Sequence, residues 1–391
     1  MLNLINNNEM NSSSIKVMIL ITQLGYGGAQ KLVFDFVRTF SGKEFSIKIG
    51  MWGGRKDTYK DFQDLGVEVI DFGGKSKFDL IAFWRLFQYL KYNNIDILHT
   101  HLPYSHIVGR LAARLAGVTR IISTLQNVYQ SQHTVSRLVD RWTVGFSDIV
   151  TAVSQGVEES YFKSSEVFTT EALYQGKTHF TIYNGVDICK VDQALNNTNK
   201  EKKLASLNLS SDNLNIVCAA RLHPNKGHTY LLNAIAKLAH QFPKIHFLFL
   251  GDGPLETTLK NQAQQLIIDN YITFLGYRKD VYEIFKAVDV FILPSINEGL
   301  PISVVEAMAA SLPVIATKIP GVQEVVEDNM TGWLVPPADA NALAQTIEKL
   351  LMFPEKLDEF AKNGRIRAEE RFSIHSITLQ YKAVYTFLIN N

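Results

Sequence analysis

The chain has 391 residues, a formal net charge of +1 and two cysteines, with 46% apolar and 20% charged residues. A chain of this length and apolar content exceeds one ordinary hydrophobic core, which indicates a globular protein of two domains. The near-neutral charge excludes a strong global attraction to nucleic acid, and two cysteines exclude a disulfide framework, which indicates a reducing compartment.

Residues 1–14 are polar, rich in asparagine and serine, and lack the apolar core of a secretion signal. We expect a disordered lead-in there. No stretch of the sequence approaches the roughly 18 to 20 apolar residues that a membrane span needs. The sequence therefore predicts a cytoplasmic protein, either free or held at the surface of the cytoplasmic membrane.

The first predicted strand, at residues 15–22, is a β-branched apolar run typical of a strand buried on both faces of a parallel sheet. A turn with Gly27 and Gly28 follows, and then a predicted helix at residues 31–40. Such a turn lets a ligand approach the backbone, although a tight turn without a ligand role is the alternative. It is not a dinucleotide-binding fingerprint, since Gln30 occupies the place of the third glycine.

The rest of the first half continues the alternation. Strands are predicted at residues 45–52, 67–72, 95–100, 120–125, 148–153 and 181–187, and helices at 78–92, 110–117 and 134–146. The helix at 78–92 mixes many aromatic residues with basic ones. It suits either a membrane surface or the sheet, and we favour packing on the sheet.

Two histidines, His99 and His101, lie at the carboxyl end of the strand predicted at residues 95–100. That edge is where open α/β sheets bind ligands. Two ligands are too few for a metal site. We expect His99 to lie in the core and His101 to contact a substrate.

The composition changes near Ile188, because residues 190–213 are rich in asparagine, lysine and serine. We place the domain junction there. Strands then resume at residues 215–220, 245–250, 271–275, 288–293, 312–316 and 332–335, with helices at 228–240, after 254, from about 302 and twice within 354–391. This rhythm predicts a second doubly wound parallel sheet.

Two cations, Arg221 and Lys226, lie five residues apart in one predicted strand-to-helix loop. Both can reach one diphosphate, whose charge they would neutralise. The alternative is a pair of solvated loop cations. No Asp-x-Asp pair occurs in the sequence to hold a divalent ion, so this pair and a helix end would take its place.

Two carboxylates, Glu298 and Glu306, flank the start of the helix predicted from about residue 302. Glu306 would lie about 6 to 9 Å along the helix axis from that start, and we expect it to bind ribose hydroxyls while Glu298 binds sugar hydroxyls. Paired carboxylates also occur in glycoside hydrolases, but such a site needs no cation pair.

The helix start itself is suited to a phosphate, because it combines unpaired backbone N–H groups with the positive end of the helix dipole. The N–H groups of Gly299 and Leu300 would face the phosphates, and Pro301 lies near the first turn.

With residues 298–306, Glu-Gly-Leu-Pro-Ile-Ser-Val-Val-Glu, the chain resembles the GT-B-fold glycosyltransferases of family 4, which are retaining enzymes with a Glu-x7-Glu motif. The resemblance covers nearly the whole chain. Similar segments are Gly27-Gly28-Ala29, His99-Thr100-His101, Asn184-Gly185-Val186-Asp187, Lys226-Gly227 and Gly251-Asp252-Gly253-Pro254. Two departures are Ser311, where glycine is usual, and Gln30, where glutamate is frequent.

The resemblance implies an α/β protein of GT-B architecture, with two Rossmann-like doubly wound parallel-sheet domains facing a cleft. The expected division is a lead-in at 1–14, an acceptor-side domain at 15–188, a linker region at 189–213, a nucleotide-sugar domain at 214–372, and a helix at 373–391 that crosses back to the first domain.

The resemblance also implies site residues and a mechanism. His101 would contact the donor sugar and act with Glu298 in catalysis, and the loop of Tyr277 would meet the base. Neither a metal nor another cofactor is expected. In a front-face mechanism, the leaving phosphate would assist deprotonation of the acceptor.

The function that follows is a retaining hexosyl- or N-acetylhexosaminyltransferase with a nucleotide diphospho-sugar as donor, a UDP-sugar favoured. The acceptor would be a glycan or lipid-linked hydroxyl in surface polysaccharide biosynthesis. Expected partners are this donor and acceptor and a peripheral membrane contact, but no nucleic acid. The alternatives are an epimerase-like enzyme and a silent nucleotide-sugar-binding protein. Arg221, Lys226, Glu298 and Glu306 together argue against the silent protein.

Overall fold

The computed structural model describes residues 14–40, 44–76, 79–129 and 134–391. The expected lead-in lies outside these residues except for Ser14, as does Phe78, the predicted start of the aromatic helix. The described strands are β1 (Ile15–Ile21), β2 (Phe45–Met51), β3 (Val69–Asp71), β4 (Ile97–His101), β5 (Arg120–Leu125), β6 (Ile149–Ala152), β7 (His179–Thr181), β8 (Leu214–Ala219), β9 (Ile245–Leu250), β10 (Ile272–Gly276), β11 (Val290–Leu293), β12 (Val314–Thr317) and β13 (Gly332–Val335).

Helices connect these strands. They are α1 (Gly28–Thr39), α2 (Tyr59–Asp64), α3 (Leu80–Tyr92), α4 (Pro103–Ala116), α5 (Thr134–Thr143), α6 (Gln155–Phe162), α7 (Thr170–Tyr174), α8 (Ile188–Asn197), α9 (Lys200–Ser206), α10 (His228–Leu238), α11 (Glu256–Gln265), α12 (Val281–Ala287), α13 (Ile302–Ala309), α14 (Pro320–Gln323), α15 (Ala340–Met352), α16 (Glu355–Arg371) and α17 (Ile374–Asn390).

Two sheets form, and their strand order confirms the predicted doubly wound α/β fold. The first has seven strands in the order β3-β2-β1-β4-β5-β6-β7, and the second has six in the order β10-β9-β8-β11-β12-β13. The strand pairs with recorded register are parallel. In each sheet the order reverses direction at one place, between β1 and β4 and between β8 and β11. Ligands bind in open α/β sheets at such switch points, outside the carboxyl ends of the strands.

The chain divides into two compact units. Of the described residues, those within 1–124, 133–150 and 382–391 form unit 1, and those within 125–132 and 151–381 form unit 2. In unit 1, buried residues of β1, β4, α3 and α4 form one apolar cluster. In unit 2, β8, β9, α10 and α15 contribute to another. The domain boundaries drawn from the sequence remain predictions.

Several predicted elements need correction. Helix α1 begins at Gly28 and not at residue 31. Helix α4 begins at Pro103 and not at residue 110, because proline's fixed φ suits a first helical turn. The strand predicted at residues 181–187 ends at Thr181. Seven helices of unit 2 were not predicted, namely α6, α7, α8, α9, α12, α14 and α15.

The predicted linker region, residues 189–213, contains α9 and most of α8. Its polar composition conceals them, since the apolar residues that these helices bury are Val191 and Leu204. The capping residues are the signal that could have found both. The side chain of Asp187 accepts from the Lys190 N–H, and that of Asn199 accepts from the Lys202 N–H, at the two helix starts.

Among the described residues, no helix combines the length and apolar character that crossing a bilayer requires.

Helix α13 ends in a Schellman-type turn. The Leu312 N–H donates to the Ala307 carbonyl and the Ser311 N–H donates to the Met308 carbonyl, each at 2.9 Å. Ser311 takes the left-handed position of this turn, with φ +57°. Glycine is the residue that adopts this conformation without cost.

We expect Ser311→Gly to stabilise the protein by up to about 1 kcal/mol, because removing Cβ strain outweighs the extra freedom of the unfolded chain. Urea unfolding at neutral pH measures the change. Ser311→Ala is the matched control, since alanine keeps the strained Cβ and should give no gain. Equal stabilisation by both variants would contradict the conformational explanation.

Candidate active site

The loops that follow β8 and β11 meet at the switch point of the second sheet. The Ile296 N–H donates to the Asn225 carbonyl at 2.8 Å, which joins them backbone to backbone. Gly227 has φ +69°, and a Cβ added there would lie 1.9 Å from the Pro294 carbonyl oxygen. Only glycine therefore allows the first loop to lie against the end of β11.

Lys226 and Glu298 form an ion pair where these loops touch. The Lys226 Nζ lies 2.5 Å from Glu298 Oε1, and the Ser295 hydroxyl donates to the same oxygen at 2.6 Å. The Glu298 side chain is 8% exposed and that of Lys226 is 17% exposed. The structure thus brings together the residue predicted for the diphosphate and the residue predicted for the sugar.

The backbone between Glu298 and α13 is enclosed on two sides. A Cβ added at Gly299 would lie 2.1 Å from the Gln126 carbonyl oxygen, and one added at Gly321 would lie 2.0 Å from the Gly299 carbonyl oxygen. Leu300 and Pro301 are buried, and the helix begins at Ile302 as predicted. The start of α13 is therefore held by backbone contacts that admit no side chain.

Glu306 lies on α13 and is buried, as its apolar neighbours on the helix suggested. The Tyr282 hydroxyl, on α12, donates to Glu306 Oε1 at 3.0 Å. A buried carboxylate requires such a partner. Tyr282 and Ser295 are the site residues that the sequence analysis missed. Ser295 directly follows the Pro294 that ends the predicted strand, whereas Tyr282 lies on a helix that was not predicted.

Arg221 and Tyr277 each follow the carboxyl end of a strand in the second sheet. Arg221 follows β8, five residues before Lys226, and is exposed. Tyr277 follows the edge strand β10 and is 42% exposed. Their predicted roles at the diphosphate and at the base remain predictions.

In unit 1, the glycine turn leads directly into α1. Gln30 is buried, and its Nε2 donates to the Gln23 carbonyl at 3.2 Å. A Cβ added at Gly27 would lie 2.6 Å from Gln30 Oε1, while one added at Gly28 would meet nothing within 4 Å. Gln30 therefore packs against the turn, at the position where the family that the chain resembles frequently has glutamate.

His101 ends β4 and is buried, with its ring 4.3 Å from that of His99. Burial lowers the pKa of His101 to about 3, so its imidazole is neutral at physiological pH. His99 lies in the core, as expected, and contacts the hydroxyls of Tyr385 and Thr124, each at 2.7 Å.

The residue after His101 is strained. Leu102 has φ +74° and ψ +145°, a backbone region that side-chain-bearing residues rarely adopt. Strain of this kind clusters at functional sites, and its place here is consistent with the role predicted for His101.

No group of three or more His, Cys, Asp or Glu side chains that could hold a metal ion occurs among the described residues. The groups of unit 2 that were predicted to bind a diphosphate without a metal are Arg221, Lys226 and the N-terminus of α13. Whether catalysis needs a metal remains part of the prediction.

Comparisons with known proteins give the family. Residues 26–188 match the family model "Glycosyltransferase Family 4", and residues 199–367 match "Glycosyl transferases group 1", so the two matches together span most of the chain. An Escherichia coli UDP-Gal:alpha-D-GlcNAc-diphosphoundecaprenol alpha-1,3-galactosyltransferase is 29% identical over 80% of this chain and 81% of its own length.

Two further proteins are similar to this chain. The Bacillus anthracis N-acetyl-alpha-D-glucosaminyl L-malate synthase is 27% identical over 79% of each chain. The crystal structure of Anabaena HepE in complex with UDP and glucose superposes with a TM-score of 0.82 at 21% identity, covering 95% of this chain and 99% of the other. At that identity the structural match shows the fold, which is GT-B as predicted.

Acidification should destabilise unit 2 through His228, the first residue of α10. Burial, followed by the nearby Lys226 cation, lowers the pKa of His228 to about 4. The unfolded chain therefore takes up a proton at a pH near 6.5 that the folded chain does not, and stability falls between these two pKa values. We expect a loss of about 2 kcal/mol from this residue by about pH 5.

Urea unfolding at about pH 7 and about pH 5 measures the loss. His228→Asn should reduce the difference between the two free energies of unfolding by about this amount. His240→Asn, at an exposed histidine of the same unit, is the control and should leave it unchanged. A His228→Asn variant with an unaltered pH dependence would contradict the assignment.

Proposed function

Because the chain belongs to the group 1 and family 4 glycosyltransferases, we propose that it transfers a sugar, with retention of configuration, from a UDP-sugar to a hydroxyl of a glycan or lipid-linked acceptor. The observation that carries this proposal is the Lys226–Glu298 pair, 2.5 Å apart, at the carboxyl ends of β8 and β11.

The donor would lie along the loops of unit 2. The Lys226 ammonium and the Arg221 guanidinium stabilise the negative charge that develops on the leaving diphosphate, aided by the N–H groups at the start of α13. Glu298, held by Lys226 and Ser295, accepts hydrogen bonds from the sugar hydroxyls. Glu306 accepts from the ribose hydroxyls, in an orientation fixed by Tyr282.

In the transfer step, the acceptor oxygen forms a bond to the anomeric carbon as the bond from that carbon to the diphosphate oxygen breaks. The proton of the acceptor hydroxyl passes to the departing diphosphate. His101 is too weak a base to take this proton, because burial lowers its pKa to about 3. We assign it a neutral hydrogen bond to the donor sugar.

The donor class and the acceptor class are supported by relatives of this chain. The E. coli relative carries UDP-Gal and a diphosphoundecaprenol in its name, and HepE was crystallised with UDP and glucose. We therefore favour a hexose or an N-acetylhexosamine on UDP, and a lipid-linked glycan as acceptor. A cytoplasmic location beside a membrane, with a role in surface polysaccharide biosynthesis, is part of the same proposal.

We expect Lys226→Ala to weaken UDP binding by about 10- to 100-fold, the cost of losing one charge-assisted hydrogen bond to a phosphate. Titration calorimetry with UDP measures it. Lys244→Ala is the control, since this exposed lysine precedes β9 at the opposite edge of the sheet. A thermal-shift panel of UDP, GDP and their sugars identifies the donor, which should raise the Tm most. Unchanged UDP affinity in Lys226→Ala would remove the diphosphate role.

Glu298→Ala should reduce transfer at least about a hundredfold, because it removes a carboxylate that orients the reacting sugar. UDP binding should remain measurable, since Lys226 and Arg221 are intact. Product formation with the donor found in the panel gives the rate, and calorimetry gives the affinity. Glu359→Ala, at an exposed ion pair on α16, is the control. Full activity of Glu298→Ala would disprove its role.

A further inference from the structure

Helix α3 is apolar on both of its faces. Ala82, Leu86 and Leu90 pack inward and belong to the apolar cluster of unit 1. The inward face therefore agrees with the prediction that this helix packs on the sheet. The opposite face is exposed and carries four large apolar or aromatic side chains and two basic ones: Leu80, Ile81, Trp84 and Tyr92, with Arg85 and Lys91.

The same layer carries further exposed apolar residues. Helix α4 packs against α3 on one side and α5 on the other. On α5, Leu138 and Trp142 lie one turn apart and are both exposed, and Leu115 is exposed near the end of α4. The two tryptophans are 58% and 69% exposed, respectively. We call the outward side of α3, α4 and α5 the aromatic face.

The aromatic face carries an excess of positive charge. The three helices contain six basic residues and one acid, Asp140. Arg110 and Asp140 are both fully buried and pair with each other at 2.6 Å, so neither contributes to the face, and the Arg114 guanidinium pairs with Asp148 at 2.9 Å. Arg85, Lys91 and Arg141 are exposed. Since the whole chain has a net charge of only +1, this basic excess is local.

Aromatic and cationic groups are also mixed at close range. The Trp84 and Phe87 rings lie 5.2 Å apart, and the Lys91 ammonium lies 5.6 Å from the centre of the Phe87 ring and 5.7 Å from that of Tyr92. Lysine in this position covers apolar surface with its stem while its charge stays at the outer side.

We propose that the aromatic face binds the surface of an anionic lipid bilayer. Tryptophan and tyrosine favour the boundary between headgroups and acyl chains, and exposed apolar side chains gain by entering it. Basic residues beside them gain from the negative surface potential, by roughly fivefold in affinity for each cation near the membrane. A protein partner with apolar and acidic groups is the competing occupant, and a second copy of this chain is another.

The inference goes beyond the transfer reaction and is tested without it. Binding of the aromatic face to lipid would hold unit 1 at the surface where a lipid-linked acceptor resides. Vesicles that contain no acceptor and no donor report on docking alone, so a failure of docking and a failure of transfer remain distinguishable.

The experiment is cosedimentation of the full chain with vesicles of phosphatidylcholine, with and without one third phosphatidylglycerol. We expect the wild-type protein to bind the anionic vesicles and to bind neutral ones several-fold more weakly. The double variant Trp84→Ser with Trp142→Ser should lose at least about tenfold in partition coefficient. Lys91→Gln with Arg141→Gln should lose roughly fivefold for each charge on anionic vesicles only.

The matched control is Tyr174→Ser with Met352→Ser. These residues are 66% and 58% exposed, like the two tryptophans, but they lie in unit 2. Circular dichroism verifies that each variant is folded. Absence of wild-type binding, or equal loss in the control pair, would overturn the proposal. So would a wild-type dimer in sedimentation equilibrium that the tryptophan variant converts to a monomer while vesicle binding is absent.

Discussion

A partly buried ion pair, Lys226 with Glu298, is the contact on which the candidate active site depends. It can form because β8 and β11 are neighbours although three helices and two strands separate them in the chain, so two distant loops share one edge of the sheet. Gly227 lets the loops approach to a distance that any Cβ would prevent. Removing either charge would leave the other buried and poorly compensated, which makes the pair costly to break. The parallel sheet thus determines where the charges lie, and a glycine determines how closely they meet.

Much of this arrangement could be predicted from the sequence, because its signals are local. About ten consecutive residues are enough to recognise each of three signals. These are the apolar runs of the central strands, the glycines after β1 and β8, and the two glutamates that flank the start of α13. What could not be predicted is the set of partners that lie far away in sequence. Tyr282 reaches Glu306 from a helix whose amphipathic pattern is short, and Gln126 encloses Gly299 from a loop of the first half. The helices α8 and α9 were missed because each buries very little apolar surface, so that composition misled where capping residues would have been informative.

The two units place their chemistry differently. In unit 2 the charged groups lie on loops that are joined to one another, so the charges that the proposed diphosphate site requires lie side by side. In unit 1 the residues described above at the switch point are neutral: two glycines, a glutamine turned back over them, and a histidine whose charge burial suppresses. Beside the same loop, Arg55 and Asp57 neutralise each other in an ion pair. The exposed charges of unit 1 include those on the outward side of its helices, away from the strand ends. A donor recognised largely by the charge of its diphosphate would fit the loops of unit 2.

Leu102 connects stability with activity in a way that bears on protein engineering. Its backbone conformation costs of order 1 to 3 kcal/mol, and it directly follows the histidine that ends β4. Glycine adopts this conformation without strain, so replacing Leu102 by glycine would relieve the strain while removing a half-buried apolar side chain. The same replacement would return conformational freedom to the segment that carries His101. Variants of this chain that are selected for heat resistance should therefore be screened for turnover when residue 102 changes.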